Sequence, residues 1–228
     1  MKIQVAIDLT DRAKTLNLAS KIQTKCEEKE LDHNFIILEA GTPLIKYYGI
    51  GFLTNIKLAA PSLQLLADLK TVDVAQLEFE LAYSHGADIA TVLAQAPINT
   101  ILKAVETAVN HKKLVSIDFI GVPPTILEDK FDSILKSIEN HTGNPEKYVI
   151  FSFHRAIDEE KDRAISLESI LDFVKRIKEN YPHLTVAVAG GLTPKYKGML
   201  QDADVDIAVV GRYITTSADP ISRIKEFL

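Results

Sequence analysis

The stretch Leu63-Gln64-Leu65-Leu66-Ala67-Asp68-Leu69-Lys70-Thr71-Val72-Asp73 joins an apolar run to a carboxylate, an amine and a second carboxylate. The run Leu63–Ala67 has the length and composition of a short buried strand. On a strand, residues two apart share a side, so Asp68 and Lys70 stand together at its mouth. Buried charge is costly unless paired. The pair therefore either closes the strand end as a salt bridge or does chemistry. In the second case the carboxylate holds a cation and the ammonium stabilises a developing anion. Asp73 is expected to cap the next helix, with Val74, Leu77, Leu81 and Ala82 on its buried face.

The elements that position these residues repeat along the chain. Short apolar runs at Ile3–Ile7, Phe35–Leu38, Leu63–Ala67, Ile89–Leu93, Leu114–Ile117, Tyr148–Phe153, Thr185–Ala189 and Ile207–Val210 alternate with amphipathic segments. The segments run near Ala13–Lys25, Pro43–Lys57, Val74–His85, Pro97–Asn110, Pro124–Glu139, Leu167–Asn180, Pro194–Gln201 and Pro220–Phe227. Several begin on Pro, whose missing N–H costs nothing in a first helical turn. Such alternation predicts a parallel sheet, and eight units in 228 residues predict one (β/α)8 TIM barrel spanning 1–228. A doubly wound sheet would carry a glycine-rich loop after its first strand. Here that place holds Asp8-Leu9-Thr10-Asp11.

A barrel works at the carboxyl ends of its strands. Those ends carry Asp8, Glu39, Asp68 with Lys70, Asp118, His154, Gly190-Gly191 and Gly211-Arg212. Carboxylates gathered this closely repel. Lys70 offsets one, and a divalent cation on Glu39 and Asp68, from neighbouring strands, would offset two more. Mg²⁺ suits one or two carboxylates completed by water and substrate oxygens. The glycines after strands seven and eight lie where barrels commonly hold phosphate, with Arg212 as a charged partner. The set predicts an enzyme acting on a phosphorylated small molecule through an enediolate, with Lys70 and the cation holding the oxyanion and His154 moving protons.

Composition narrows the field. The net charge of −5 offers no basic footprint for nucleic acid. No apolar stretch is long enough to span a bilayer, and no cleavable leader precedes Ile3. One cysteine, Cys26, allows no internal disulfide. These features lead us to expect a cytoplasmic protein.

Ala67-Asp68-Leu69-Lys70-Thr71-Val72-Asp73 resembles the Asp-x-Lys-x-x-Asp motif of the orotidine-5′-monophosphate decarboxylase suprafamily. Glu39-Ala40-Gly41-Thr42-Pro43-Leu44-Ile45-Lys46 and His85-Gly86-Ala87-Asp88-Ile89-Ala90-Thr91-Val92-Leu93 are similar to its branch of 3-hexulose-6-phosphate synthases and 3-keto-L-gulonate-6-phosphate decarboxylases. The likeness runs from Gln4 to Thr215. It implies Glu39 and Asp68 as ligands of Mg²⁺, Lys70 as the amine that stabilises the intermediate, and Asp8 as a carboxylate orienting Lys70 or substrate hydroxyls. It implies His154 as the proton carrier and Gly191, Gly211 and Arg212 as the phosphate grip. It also implies a homodimer in which Asp73 completes the neighbouring site. Asp118, Ile157 and Ala189 stand where the decarboxylases carry Glu, Arg and Thr. The resemblance therefore implies the aldehyde-lyase, which joins D-ribulose 5-phosphate to formaldehyde. The decarboxylase and a non-catalytic sugar-phosphate binding protein are the alternatives. The segment His154-Arg155-Ala156-Ile157-Asp158-Glu159-Glu160-Lys161 lacks the glycine of the family's lid, and Arg155 is expected to face solvent.

Overall fold

A computed structural model describes residues 1–155 and 166–228. The eight apolar runs form eight strands: β1 (Lys2–Ile7), β2 (Ile36–Ala40), β3 (Gln64–Thr71), β4 (Ile89–Leu93), β5 (Leu114–Asp118), β6 (Val149–His154), β7 (Thr185–Ala189) and β8 (Ile207–Val210). Each pairs in parallel with the next, and β8 pairs with β1, so the sheet closes into the expected (β/α)8 barrel.

Helices α1 (Arg12–Glu27), α2 (Thr42–Tyr48), α3 (Phe52–Ala59), α4 (Ala75–Ser84), α5 (Ile98–His111), α6 (Leu127–Thr142), α7 (Leu167–Asn180), α8 (Lys197–Asp202), α9 (Arg212–Thr215) and α10 (Pro220–Lys225) surround it. In α7 the residues Leu167, Ile170, Leu171, Val174 and Ile177 are buried, the spacing of one helical face. Ser166 caps this helix by accepting from the Ser169 N–H.

Three expectations need correction. The segment Pro43–Lys57 is two helices, α2 and α3, because Gly49 at φ 80° breaks the first. Asp73 does not cap α4: its carboxylate accepts only from the adjacent Val74 N–H, and Val74 at φ 48° occupies the cap position. The buried face of α4 is Ala75, Phe79, Ala82 and Tyr83, whereas Val74, Leu77 and Leu81 are exposed. The observed and expected faces share Ala82 and are offset by about one residue, or about 100° around the helix.

Inside the barrel, side chains stack in layers. Ile37, Leu66, Ile89, Ile150, Ala187 and Ile207 form a separate apolar cluster, with Leu114 against it. Two residues further along each strand brings the same face one layer higher. That step leads from the apolar plug to Glu39, Asp68, Thr91, Ser116, Ser152, Ala189 and Val209. The interior thus changes from hydrocarbon to polar groups midway up, and the polar layer lies beneath the carboxyl ends.

The opposite rim is closed by two matching pins. Lys57 Nζ donates to Leu63 O (2.7 Å) and to Asp88 (2.8 Å), and Asp88 also accepts from Leu65 N (3.1 Å). Lys178 Nζ donates to Leu184 O and Asp206 (3.0 Å each), and Asp206 accepts from Val186 N (2.8 Å). The surrounding sequences correspond, Ile56-Lys57 with Ile177-Lys178 and Asp88-Ile89-Ala90 with Asp206-Ile207-Ala208. The pins therefore relate the β3–β4 half to the β7–β8 half. Lys178 is buried, so removing it takes the donor from the Pro182 and Leu184 carbonyls and the counter-charge from Asp206. We expect Lys178→Met to lose about 3 kcal/mol of stability, read as a fall in the urea midpoint. No change would show the pin to be energetically idle.

Among the described residues no helix is long and apolar enough to cross a membrane.

Candidate active site

The site begins at an irregularity in β3. Ala67 pairs with Ala90 and Thr71 with Val92, so a four-residue step on β3 faces a two-residue step on β4. The extra residues bulge, and Lys70 within the bulge adopts φ 49°, a conformation that costs a non-glycine residue about 1–2 kcal/mol. The strand continues past the sequence-predicted end at Ala67. Asp68 and Lys70 still meet, but across a bulge rather than along a regular pleat.

Lys70 Nζ donates to both oxygens of Asp68 (3.0 and 2.8 Å) and to Asp118 Oδ2 (3.2 Å). Asp118 Oδ2 also lies 3.4 Å from His154 Nδ1, and its other oxygen accepts from the Ile120 N–H (3.0 Å). A continuous chain of polar groups thus runs Asp68–Lys70–Asp118–His154 across the ends of β3, β5 and β6. Burial works against the Lys70 charge, but Asp68 and Asp118 outweigh it and hold the ammonium above the usual lysine value. Burial likewise opposes the Asp118 charge. His154, Lys70 and the Ile120 N–H overcome it and keep this carboxylate below its usual range.

Asp68 is held on both oxygens. Besides Lys70, its Oδ1 accepts from Thr91 Oγ1 (3.0 Å) and its Oδ2 from Thr42 Oγ1 (2.6 Å). Glu39 has less support. Gln4 Nε2 donates to it at 2.7 Å, yet burial first and the Asp68 charge second push its carboxyl up to about 8. A buried carboxyl with too little positive charge around it, facing a second carboxylate, suits a divalent cation. Among the described residues no group of three or more His, Cys, Asp or Glu side chains could hold a metal. The protein thus offers two carboxylates, and water and substrate oxygens would complete the shell, as Mg²⁺ prefers.

Asp8 stands at the rim. Partial loss of water around it and the Asp68 charge raise its carboxyl above the ordinary value, with Lys70, His154 and Arg212 partly offsetting them. Lys70 bonds Asp68 and Asp118 rather than Asp8, so Asp8 acts on it through space. Gly41 makes room for this carboxylate, since a Cβ there would overlap Asp8 Oδ1.

Gly190 and Gly191, at φ 116° and 66°, turn the chain after β7, and Gly211 follows the neighbouring strand β8. A Cβ on Gly190 would meet the Arg155 backbone at 2.7 Å. Arg155 does not simply face solvent. Its side chain donates to Gly190 O at 3.3 Å, and its Nε is buried without a hydrogen-bond partner. Ile157 and most of the 155–161 lid segment lie outside the described residues.

The structure thus gathers Glu39, Asp68, Lys70, Asp118 and His154, with Asp8, Gly191, Gly211 and Arg212 around them. It leaves Asp73 exposed, with its carboxylate on the Val74 N–H. Reading strand ends missed Gln4, Gly41 and Thr42, because two of them precede or follow the obvious charged positions and the third has no side chain. The period-two step up from the apolar plug leads to Thr91 and Glu39 directly. His33, His85 and His183 lie between a helix and the next strand, and His111 and His141 lie in the last turns of α5 and α6, all towards the opposite rim.

The family model for the orotidine 5′-phosphate decarboxylase / HUMPS family matches residues 1–227. The chain belongs to this family. Among its relatives is the 3-hexulose-6-phosphate synthase of Mycobacterium gastri, 33% identical over 99% of this chain and 97% of that protein. The bifunctional enzyme Fae/Hps of Methanosphaerula palustris is 32% identical over 99% of this chain, which spans about half (51%) of that longer protein. Among solved structures, a 3-hexulose-6-phosphate synthase superposes with a TM-score of 0.80 at 32% identity, covering 100% of this chain and 98% of that one. The KGPDC of Streptococcus mutans, solved with a sugar phosphate bound, superposes with a TM-score of 0.77 over 99% of this chain and 94% of that one. At 21% identity it shows the shared barrel alone. The family and its synthase relatives support a lyase-type enzyme.

Proposed function

We propose that this chain is an Mg²⁺-dependent 3-hexulose-6-phosphate synthase, an aldehyde-lyase that joins D-ribulose 5-phosphate to formaldehyde. The observation that carries the reading is the Asp68–Lys70–Asp118–His154 chain at the barrel mouth. His154 Nδ1 faces the Asp118 carboxylate, and the tautomer that donates to it would present Nε2 unprotonated. Nε2 removes the C1 proton of the sugar phosphate. Lys70, charged and held by two carboxylates, donates to the enediolate oxygen as negative charge develops, a contact worth ~3–4 kcal/mol. C1 then attacks formaldehyde, a C–C bond forms, and protonated His154 returns its proton to the new alkoxide. A cation held by Glu39 and Asp68 would add positive charge beside the enediolate oxygens. Gly190, Gly191, Gly211 and Arg212 would hold the phosphate.

Asp118 and Ala189, where the resembling decarboxylases carry Glu and Thr, favour the aldolase over release of CO₂ from 3-keto-L-gulonate 6-phosphate. The test is solvent-deuterium exchange at C1 of ribulose 5-phosphate with Mg²⁺, followed by assays of formaldehyde consumption and CO₂ release. Exchange with formaldehyde consumption is expected. CO₂ release instead would establish the decarboxylase, and tight binding without exchange would establish a binding protein.

The same reading includes a homodimer. Val72, Val74, Leu77 and Leu81 are 49%, 60%, 58% and 40% exposed around Asp73. A shallow groove of about 520 Å³, lined by Asp73, Val74, Leu77, Asn99 and Lys103, runs beside them. Such an apolar patch suits burial against a second copy, which would carry Asp73 to the partner's site. Leu77→Glu is expected to give a folded monomer in sedimentation, with activity down at least tenfold. A dimer that persists undisturbed would place the interface elsewhere.

A further inference from the structure

The bulge in β3 leaves the Lys70 amide without a strand partner, and one side chain takes over. Across the bulge, β4 advances from Ala90 to Val92 while β3 advances from Ala67 to Thr71. The residue between the two pairings is Thr91. Its hydroxyl oxygen accepts from the Lys70 backbone N–H at 2.9 Å, and its O–H donates to Asp68 Oδ1 at 3.0 Å. Thr91 is 4% exposed, in the polar layer above the apolar plug. One hydroxyl therefore uses both its donor and its acceptor capacity to tie the amide of the lysine to the carboxylate two residues before it.

We propose that Thr91 is a positioning residue for Lys70. The left-handed conformation at Lys70, φ 49°, is unfavourable for a side chain with a Cβ. It persists only where its surroundings hold it. The Thr91 oxygen supplies that hold at the lysine's own amide. The same hydroxyl fixes the plane of the Asp68 carboxylate against which Lys70 Nζ rests. Thr42 grips the other Asp68 oxygen and the Asp68 carbonyl but makes no contact with the Lys70 amide. Among the described residues, Thr91 is thus the side chain that ties the Lys70 amide to the Asp68 carboxylate. A misplacement near 1 Å at the ammonium is enough to lower turnover about 100-fold.

The role rests on the aldolase reading for its effect on rate, but not for its effect on the backbone. The experiment compares wild type, Thr91→Val and Thr91→Ser in two measurements. Valine keeps the shape and removes the hydroxyl; serine restores it. First, hydrogen exchange of the Lys70 amide, read by NMR on the substrate-free protein, should quicken at least tenfold in Thr91→Val and return towards wild type in Thr91→Ser. Second, C1 deuterium exchange of ribulose 5-phosphate should show kcat reduced 10–100-fold in Thr91→Val, with KM within threefold, and serine should recover most of the loss. Unchanged Lys70 protection in Thr91→Val would overturn the proposal. So would unchanged kcat in a valine variant with altered protection, or a loss that serine does not repair. A wild-type protein with no C1 exchange would overturn the aldolase reading instead. The placement of Lys70 by Thr91 would then stand or fall on the amide alone.

Discussion

Lys70→Ala lowers turnover in C1 deuterium exchange by about 10³-fold, at the upper end for removal of one oxyanion-stabilising donor. The size of the effect follows from how the ammonium is held. It bonds Asp68 and Asp118 at once, and those carboxylates keep it charged despite burial. Its charge is thus in place before the proton leaves C1, and no reorganisation is needed as the oxyanion forms. KM should move only a few-fold, because the contact strengthens as negative charge builds and is weak in the ground state. A variant with unchanged turnover would remove Lys70 from the chemistry. A variant that loses only KM would make it a binding group.

Glu39→Gln separates metal binding from folding, and its sign is the informative part. The Glu39 carboxyl rises from 4.5 to about 8 in the folded protein, through burial and the neighbouring Asp68 charge. Between these values the folded chain holds a proton that the unfolded chain has released. Stability of the metal-free protein should therefore be full below about pH 4.5 as far as this group is concerned, and fall as pH rises towards 8. The loss is on the order of a few kcal/mol, since each tenfold change in proton affinity corresponds to about 1.4 kcal/mol. Mg²⁺ should reverse the loss at pH 8 and release up to one proton on binding at pH 7, visible as a buffer-dependent enthalpy in titration calorimetry. Glutamine cannot ionise. Glu39→Gln should melt higher than metal-free wild type at pH 8, gain little from Mg²⁺, and lose about 100-fold in turnover. A wild-type melting temperature that is flat from pH 5 to 8, with no proton release, would show that Glu39 does not face a cation.

The two pins at the far rim and the layered interior explain how a stable barrel tolerates such a cluster. Apolar side chains fill the lower interior and lysine–aspartate pairs bind the helices to the strand starts. The unfavourable charges collect only above that plug, where their repulsion is countered by Lys70 and left over at Glu39.

The amino-acid sequence by itself determined the barrel and most of the polar cluster. Strand–helix alternation is a local property, written in apolar runs such as Ile89–Leu93 and Thr185–Ala189, and the active face of a parallel barrel follows from chain direction alone. Asp8, Glu39, Asp118 and His154 were therefore legible as strand-end residues. Tertiary structure decided what no local pattern encodes. The bulge that turns Lys70 into a left-handed conformation depends on a register mismatch between β3 and β4, which exists only once the strands pair. Thr91, Gln4 and Thr42 acquire their roles from partners 21 or more residues away. Val74, Leu77 and Leu81 are exposed although their spacing suggests a buried face. Packing of Ala75, Phe79 and Tyr83 against the barrel, rather than the number of apolar residues on each face, chose which side of that helix was buried.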